Sequence, residues 1–428
     1  MINNSFNKLA HPKIIKGIKK LDIIKSLSNT LQVTFEVTEK CNLECKYCSY
    51  GELYSGKNST RIQNDLPTIY AKKLLDYLVN LWNSNANKSY KKTVSISFYG
   101  GEPLMNVPFI KEVINYVKKA NLECIIPRFN MTTNAVLLKK HIAFLVENDF
   151  HLLISLDGNK ENNSYRVYKN GKESFDDIIK NIDFVYKNYP DFFKTNIQFN
   201  SVLHNRSSFS ETFNYIFNRY NKKPTITELN TSGIEESKKT EFWNTYVNLT
   251  ESLNQSEDYR FIRDTLFIDS PDISQLSTAI HHSSNNVYQT YLDFFTKNET
   301  KEYLPTGTCI PFSRKIFLTA KGTILQCERI SDAFPFGKVT EEGVFIDYDK
   351  ILDITNNTYD KLAKYCNNCI RKTNCTQCIF NLDLSAEKIS CPGYLPNNKF
   401  KLSYDWITKA LKEDRKLYKK ILTEVYYE

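Results

Sequence analysis

Thr38 to Tyr50 read TEKCNLECKYCSY, and the fold turns on what Cys41, Cys45 and Cys48 are for. Three thiolates this close together can face one iron cluster. They supply one ligand fewer than the four that a 4Fe-4S cubane takes from a full cysteine set, which leaves one iron for a ligand that is not protein. Two other readings stay open on this stretch alone: buried free cysteines, and three quarters of a zinc site. Structural zinc wants a fourth ligand and usually paired C-x2-C spacings.

Working outward, Leu31 to Val37 (LQVTFEV) is rich in β-branched and aromatic residues and reads as a buried strand that delivers its carboxyl end to the cysteine loop. Pro67 opens a helical pattern, TIYAKKLLDYLVNLW, at a first-turn position where its missing N–H costs nothing. Thr93 to Tyr99 is a second strand, and the alternation continues. Further strands are expected at Glu123–Met131, His151–Leu156, Thr195–Leu203 and Thr225–Leu229. Helices are expected at Pro108–Ala120, Leu138–Asn148, Phe175–Tyr189 and Phe209–Tyr220. Six strand-helix units in series imply parallel strands with right-handed crossovers, and in such α/β sheets the chemistry collects at the carboxyl ends of the strands.

The unusual residues do fall just after strands. Gly100, Gly101, Glu102 and Pro103 follow the second; a glycine pair lets backbone approach a ligand closely, and a carboxylate beside it can hold an ammonium group. Thr132, Thr133 and Asn134 follow the third, and Ser155, Asp157 and Gly158 end the fourth. Each has a bland alternative as an ordinary turn, with an Asx hydrogen bond in the last case.

Cys41-x3-Cys45-x2-Cys48, with the aromatic Tyr47 before the last cysteine and GGEP some fifty residues on, resembles the signature of radical S-adenosylmethionine (SAM) enzymes. The resemblance implies a partial (β/α)6 TIM-like barrel in which SAM chelates the open iron and is cleaved to a 5'-deoxyadenosyl radical. By the same resemblance Gly100, Gly101 and Glu102 meet the methionine amino group of SAM, and Tyr47 and Asn134 lie in its site. Ser155 and Asp157 take the place of ribose-contacting residues, and Arg166 that of an arginine meeting the SAM carboxylate. Departures are visible. Ala135 stands where many relatives have Gly, and the usual His-Asp ahead of Arg166 is Asn163-Ser164, in a segment one residue shorter.

The last third carries Cys309, Cys327, Cys366, Cys369, Cys375, Cys378 and Cys391, with Gly322 between the first two. Ile316 to Gln326 reads as a hairpin with a Lys-Gly turn. The spacing is similar to the SPASM extension of radical SAM enzymes, except that two residues rather than three separate Cys375 from Cys378. That resemblance implies one auxiliary 4Fe-4S cluster on Cys366, Cys369, Cys375 and Cys391 and another on Cys309, Cys327 and Cys378, with Tyr303 where some relatives carry a further cysteine. A zinc ribbon is the alternative. Cys124 fits neither set and is expected in the core. Glu328, next to Cys327, occupies the place of an aspartate thought to take a proton in anaerobic sulfatase-maturing relatives; pairing with Arg329 or Arg314 is its structural alternative.

The composition is consistent with this reading. A chain of 428 residues is long enough for more than one domain. We expect a lead-in at 1–30, the radical SAM barrel at 31–230, a bridge at 231–308, the SPASM domain at 309–395 and a C-terminal helix packing across the barrel at 396–428. No apolar run suits a membrane span or signal peptide, so a cytoplasmic protein is expected. Eleven cysteines without a signal point to metal in a reducing compartment rather than disulfides. The formal charge of +9 falls to roughly +5 once three clusters are counted. The lysines are scattered along helical stretches, which excludes a nucleic-acid stripe. His281 and His282 in a polar stretch read as exposed.

The wording YCSYGELY and CERI looks most like maturases of ribosomally made peptides. The partners this implies are a precursor peptide, a flavodoxin- or ferredoxin-type electron donor and, because thirty residues cannot hold a leader-binding domain, a separate leader-binding protein or another surface of the chain. The expected product is a thioether, ether or carbon-carbon crosslink. Alternatives are a formylglycine-generating oxidase and, from another class, a non-catalytic peptide-binding scaffold.

Overall fold

The computed structural model describes residues 13–14, 17–54, 63–87, 92–123, 125–231, 233–283, 302–330, 332–371, 375–384, 389–396 and 400–425, so Cys124 lies outside the described residues. The chain falls into two compact units: Leu21–Ile262 with Ile310–Tyr348, and Met1–Lys20 with Arg263–Cys309 and Asp349–Glu428.

The larger unit is built on six parallel strands, β1 (Gln32–Thr38), β2 (Lys92–Gly100), β3 (Ile125–Thr133), β4 (His151–Ser155), β5 (Ile197–Val202) and β6 (Thr225–Thr227), which lie side by side in chain order. Between successive strands run α1 (Thr68–Trp82), α2 (Val107–Lys119), α3 (Leu138–Glu147), α4 (Phe175–Asn188) and α5 (Phe209–Tyr220). Sequential order with crossovers of one hand lays every helix on the same face of the sheet, which is the arrangement of a partial (β/α)6 barrel. The strands answer with alternation. Val33, Phe35 and Val37 of β1 are fully buried, while Gln32, Thr34 and Glu36 share the opposite, inner face.

The expected hairpin is present as β7 (Lys315–Leu318) and β8 (Thr323–Leu325), but it does not start a separate domain. β7 pairs in parallel with β1, and β9 (Gly337–Val339) and β10 (Val344–Ile346) continue antiparallel, giving one sheet ordered β10-β9-β8-β7-β1-β2-β3-β4-β5-β6. Glu36 Oε2 accepts from Ala320 N at 2.9 Å and so ties β1 to the hairpin turn. The span expected as one domain at 309–395 is thereby divided, with Ile310–Tyr348 in the barrel unit and Cys309 outside it.

Smaller departures have local causes. Pro190 at a helix start and the buried Phe192 and Phe193 make a short helix, Pro190–Asn196, where the fifth strand was expected to begin. Within the stretch expected as a bridge lie two helices, Lys239–Thr245 and Leu249–Asn254, separate because the Asn248 side chain accepts from Glu251 N and caps the second.

In the smaller unit, helix Pro271–Ser283 takes in the histidine stretch, and His281 is buried rather than exposed. The expected single C-terminal helix is two, Phe400–Glu413 and Arg415–Glu424, broken where Asp414 accepts from Lys416 N and Leu417 N. Leu417, Ile421 and Val425 pack on Ile273, Leu276 and Ile280 of Pro271–Ser283. Lys13–Ile14 pairs in parallel with Glu302–Tyr303.

Candidate active site

The cysteine loop leaves the carboxyl end of β1 and is pinned by backbone. Glu44 N donates to Val167 O at 2.8 Å and Lys46 N to Tyr165 O at 3.0 Å, while Cys48 N donates to Cys45 O and Gly51 N to Cys48 O. Its root is gripped by the glycine pair after β2. Gly101 N donates to Thr38 O and Glu102 N to Lys40 O, each at 2.8 Å. A Cβ on Gly101 would lie 2.0 Å from Lys40 O, and one on Gly100 (φ +129°) 2.4 Å from Thr38 O. The glycines are therefore required by the approach of two backbone segments, and they set where the cysteine loop begins.

The Glu102 carboxylate is committed within the protein. It accepts from Leu104 N (3.1 Å), Thr133 Oγ1 (2.7 Å) and Asn134 N (2.8 Å), joining the end of β2 to that of β3. Burial pushes its carboxyl up to about 7, against the pull of those three donors. These three donors tie Glu102 to the ends of β2 and β3. Asn134 in turn directs its amide at Asn42 Oδ1 (2.8 Å) and at Cys41 Sγ (3.8 Å), and Leu43 N donates to the same sulfur at 3.4 Å. Ala135, where a Gly was expected from relatives, adopts φ +63°.

Asp157 is a hub after β4. Its carboxylate takes a forked pair from Arg166, Nε to Oδ2 at 2.9 Å and Nη2 to Oδ1 at 3.0 Å, plus Tyr47 Oη and Val202 N. The Asp157 side chain is fully buried and that of Arg166 only 7% exposed. The two residues expected at the ribose and at the SAM carboxylate thus hold each other. The Arg166 guanidinium lies 5.5 Å from the centre of the Tyr47 ring. Burial pushes the Cys45 thiol up to about 12; the Arg166 charge pulls against this, and Cys48 and Cys41 add to it. The three cysteines therefore sit close enough to sense one another and the Asp157–Arg166 pair. Ser155, on the inner face of β4 opposite Asn200 of β5, sits at the strand end as expected.

His204, just past β5, was missed at the sequence level. It is buried, stacks on Tyr47 at 5.4 Å, lies 4.6 Å from the Tyr165 ring, and brings Nε2 to 3.9 Å from Asp157 Oδ2. Burial lowers its basicity, with Asp157 opposing. Only its position at a strand end signalled it. Glu328 is held by Lys315 rather than by Arg329 or Arg314: Lys315 Nζ donates to both of its oxygens at 2.8 Å.

In the smaller unit, Cys366 feels Cys375, Cys391 and Cys369, so the four expected together are neighbours. Burial pushes Cys366 up to about 11 and raises Cys378 and Cys391, while backbone N–H groups of Phe380 and Asn381 face Cys378 and those of Gly393 and Tyr394 face Cys391. Donors aimed at sulfur suit anionic, cluster-bound thiolates. Tyr359, also missed, is buried with its hydroxyl unpartnered; burial raises its pKa, and the nearby Cys378, Cys309 and Cys366 add to this. Cys309 and Cys378 belong to this unit and Cys327 to the barrel unit. Among the described residues no three His, Cys, Asp or Glu side chains form a group for a single metal ion, and no helix is long and apolar enough to cross a membrane.

Residues 35–204 match the radical SAM superfamily. The chain is 34% identical over 162 residues to the cysteine-type anaerobic sulfatase-maturating enzyme of Clostridium novyi, covering 37% of this chain and 40% of that one. It is 27% identical over 210 residues to the radical SAM cyclopropyl synthase TigE of Paramaledivibacter caminithermalis, covering 47% and 40%. The chain spans under half the length of the curated relatives it matches. The solved structure of native anSMEcpe with bound AdoMet superposes with a TM-score of 0.56 at 16% identity, over 92% of this chain and 99% of that one, a likeness of fold.

Proposed function

We propose, with the radical SAM domain at residues 35–204 as premise, that this chain is an enzyme that modifies a peptide by hydrogen-atom abstraction. The observation that carries the reading is the cysteine loop. Cys41, Cys45 and Cys48 stand at the carboxyl end of β1, with Leu43 N and the Asn134 amide directed at Cys41 and the Arg166 charge beside Cys45. Those donors fit an anionic 4Fe-4S cluster better than three neutral thiols. A cluster held there would supply the electron that cleaves bound SAM to methionine and a 5'-deoxyadenosyl radical, which takes a hydrogen atom from the substrate.

The chain's own residues shape the site around that chemistry. Gly100 and Gly101 fix the loop root, and Glu102 joins β2 to β3 beneath it. Asp157 holds Arg166 and Tyr47 as one rigid face next to Cys45. Arg166 remains a cation at any working pH, so a SAM carboxylate would find a fixed positive group there. Cys366, Cys369, Cys375 and Cys391 would hold an auxiliary 4Fe-4S cluster, with a flavodoxin- or ferredoxin-type protein as electron source.

A peptide substrate is supported by the names of the matched relatives, one a sulfatase-maturating enzyme and one a cyclopropyl synthase. We favour a side-chain crosslink on the sequence wording around the first motif. Formylglycine formation is the second reading, favoured by the 34% identity to the sulfatase-maturating enzyme. Incubating the reconstituted protein with SAM, reductant and short peptides encoded beside its gene separates the two by mass spectrometry. A peptide that loses two hydrogens and gives no hydrazine adduct supports the crosslink, and a hydrazine-trappable aldehyde supports the oxidase. SAM cleavage with no change in any peptide counts against both.

A further inference from the structure

The inner face of the sheet lines a cleft of about 830 Å³ that lies wholly within the barrel unit. Part of its wall is formed at the carboxyl ends of β2 and β3 by Tyr99 and Thr132, each one residue short of the end of its strand, and Glu328 faces the same space. Tyr99 stands in register with Glu36 of β1, and the next residue, Gly100, with Thr38 at the root of the cysteine loop. The cleft therefore reaches the side of the sheet where Cys41, Cys45 and Cys48 stand.

Tyr99 carries a polar group with no task inside the chain. Its ring packs edge-on against Phe317 of β7, with centres 6.3 Å apart. A phenylalanine would make that contact equally well. The side chain is only half-buried and lines the cleft, and its hydroxyl makes no hydrogen bond with any described residue. Ser97, two residues earlier on the same face, shows the contrast, since Gln32 Nε2 already donates to it at 2.7 Å. A tyrosine hydroxyl set into a fold ordinarily finds a partner, so an unmatched one that a ligand can reach points to a partner that the ligand brings.

The surroundings select that partner. Burial raises the Tyr99 pKa above the ordinary phenol value of about 10, and Glu328, Cys48 and Glu36 raise it further, with Arg329 opposing. The phenol thus keeps its proton and serves as a donor. An anionic acceptor would be brought up to Glu36 and Glu328, and the lysine of the cleft, Lys315, is already held by both oxygens of Glu328 at 2.8 Å. A neutral carbonyl oxygen meets no such objection, and the one that every peptide presents beside a reacting carbon is that of its backbone.

We infer that Tyr99 is a substrate-binding residue whose hydroxyl donates to a backbone carbonyl of the peptide, holding the carbon that loses its hydrogen at the carboxyl ends of β2 and β3. The inference rests on the peptide-substrate reading and goes beyond it by naming a contact between this chain and the peptide backbone. The contact is a hydrogen bond alone, and the phenol is unchanged by the reaction.

The test compares the reconstituted wild type with Tyr99→Phe, which keeps the ring on Phe317 and deletes the oxygen. Both are given SAM, reductant and synthetic peptides tiling the short reading frames on either side of the gene, and modified peptide and 5'-deoxyadenosine are counted by mass spectrometry. In Tyr99→Phe the KM for the modified peptide is expected to rise about fivefold, the loss of one neutral hydrogen bond. The 5'-deoxyadenosine formed per modified peptide is expected to rise about threefold, because a loosely held peptide lets the radical be quenched elsewhere. Iron content, SAM affinity and melting temperature are expected to match the wild type. An unchanged KM or an unchanged ratio would overturn the inference, as would a lowered melting temperature, which would show the hydroxyl to be bonded within the chain. An effect that vanishes when the Asn and Gln residues of the peptide are replaced by Ala would assign the contact to a side-chain amide and overturn it too. A wild type that cleaves SAM and modifies no peptide would overturn the proposed function, and this inference with it.

Discussion

Gly101 shows how much one side-chain atom decides. A Cβ there would lie 2.0 Å from Lys40 O, and backbone cannot yield as the end of a flexible side chain can. We expect Gly101→Ala to displace the loop root, lowering the iron bound by Cys41, Cys45 and Cys48 at least severalfold and destabilising the chain by about 2 kcal/mol or more in denaturant titration. Glu102 contributes a pH signature. Its folded carboxyl titrates near 7 and the free one at 4.5, so from pH 4.5 to 7 the folded state holds a proton that the unfolded state has released. Stability should therefore fall as pH rises through that window, by roughly 3 kcal/mol from this group, and Glu102→Gln should flatten the slope. Asp157→Asn would leave the buried Arg166 without its forked partner, and a loss of about 3 to 5 kcal/mol in urea unfolding is expected. The positions of these residues were legible because strand ends in a parallel sheet collect chemistry. Their roles were less so. Which oxygen turns inward is set by partners such as Thr133 and Val202, which are distant in sequence and carry no pattern that marks them.

At the scale of elements, hydrophobic period carried the barrel. Helix α5 was expected at Phe209–Tyr220, the residues it spans, since Ser208 caps its start and Asn221 takes the left-handed conformation at its end. The departures came from short-range polar contacts that period does not see. Asn248 and Asp414 each stop a helical pattern by capping the next helix. Asp414→Ala should cost about 1 kcal/mol and fray Arg415–Glu424, seen as faster amide exchange confined to that helix. The hairpin at Lys315–Leu325 was legible as a hairpin, but its parallel pairing with β1 was not, because the partner strand lies almost three hundred residues earlier in the chain. The polar inner face was present in LQVTFEV as a strict alternation; reading the strand as simply buried passed over Gln32, Thr34 and Glu36.

For the whole molecule, two cysteine arrays fall in different parts of the chain. The first opens the barrel unit at Cys41, Cys45 and Cys48, and four further cysteines gather in the smaller unit at Cys366, Cys369, Cys375 and Cys391. The resemblance to the SPASM extension assigned the later cysteines to sets, since Cys309, Cys327 and Cys378 lie too far apart in sequence for spacing to group them. The central claim is that the first array holds a SAM-cleaving cluster, and the most direct test is anaerobic iron analysis with 5'-deoxyadenosine measured in parallel, on the wild type and on a Cys41→Ala, Cys45→Ala, Cys48→Ala variant. The account predicts that the variant loses about four irons and all SAM cleavage while keeping the iron held elsewhere. A variant that keeps its full iron content, or that still cleaves SAM, would contradict it.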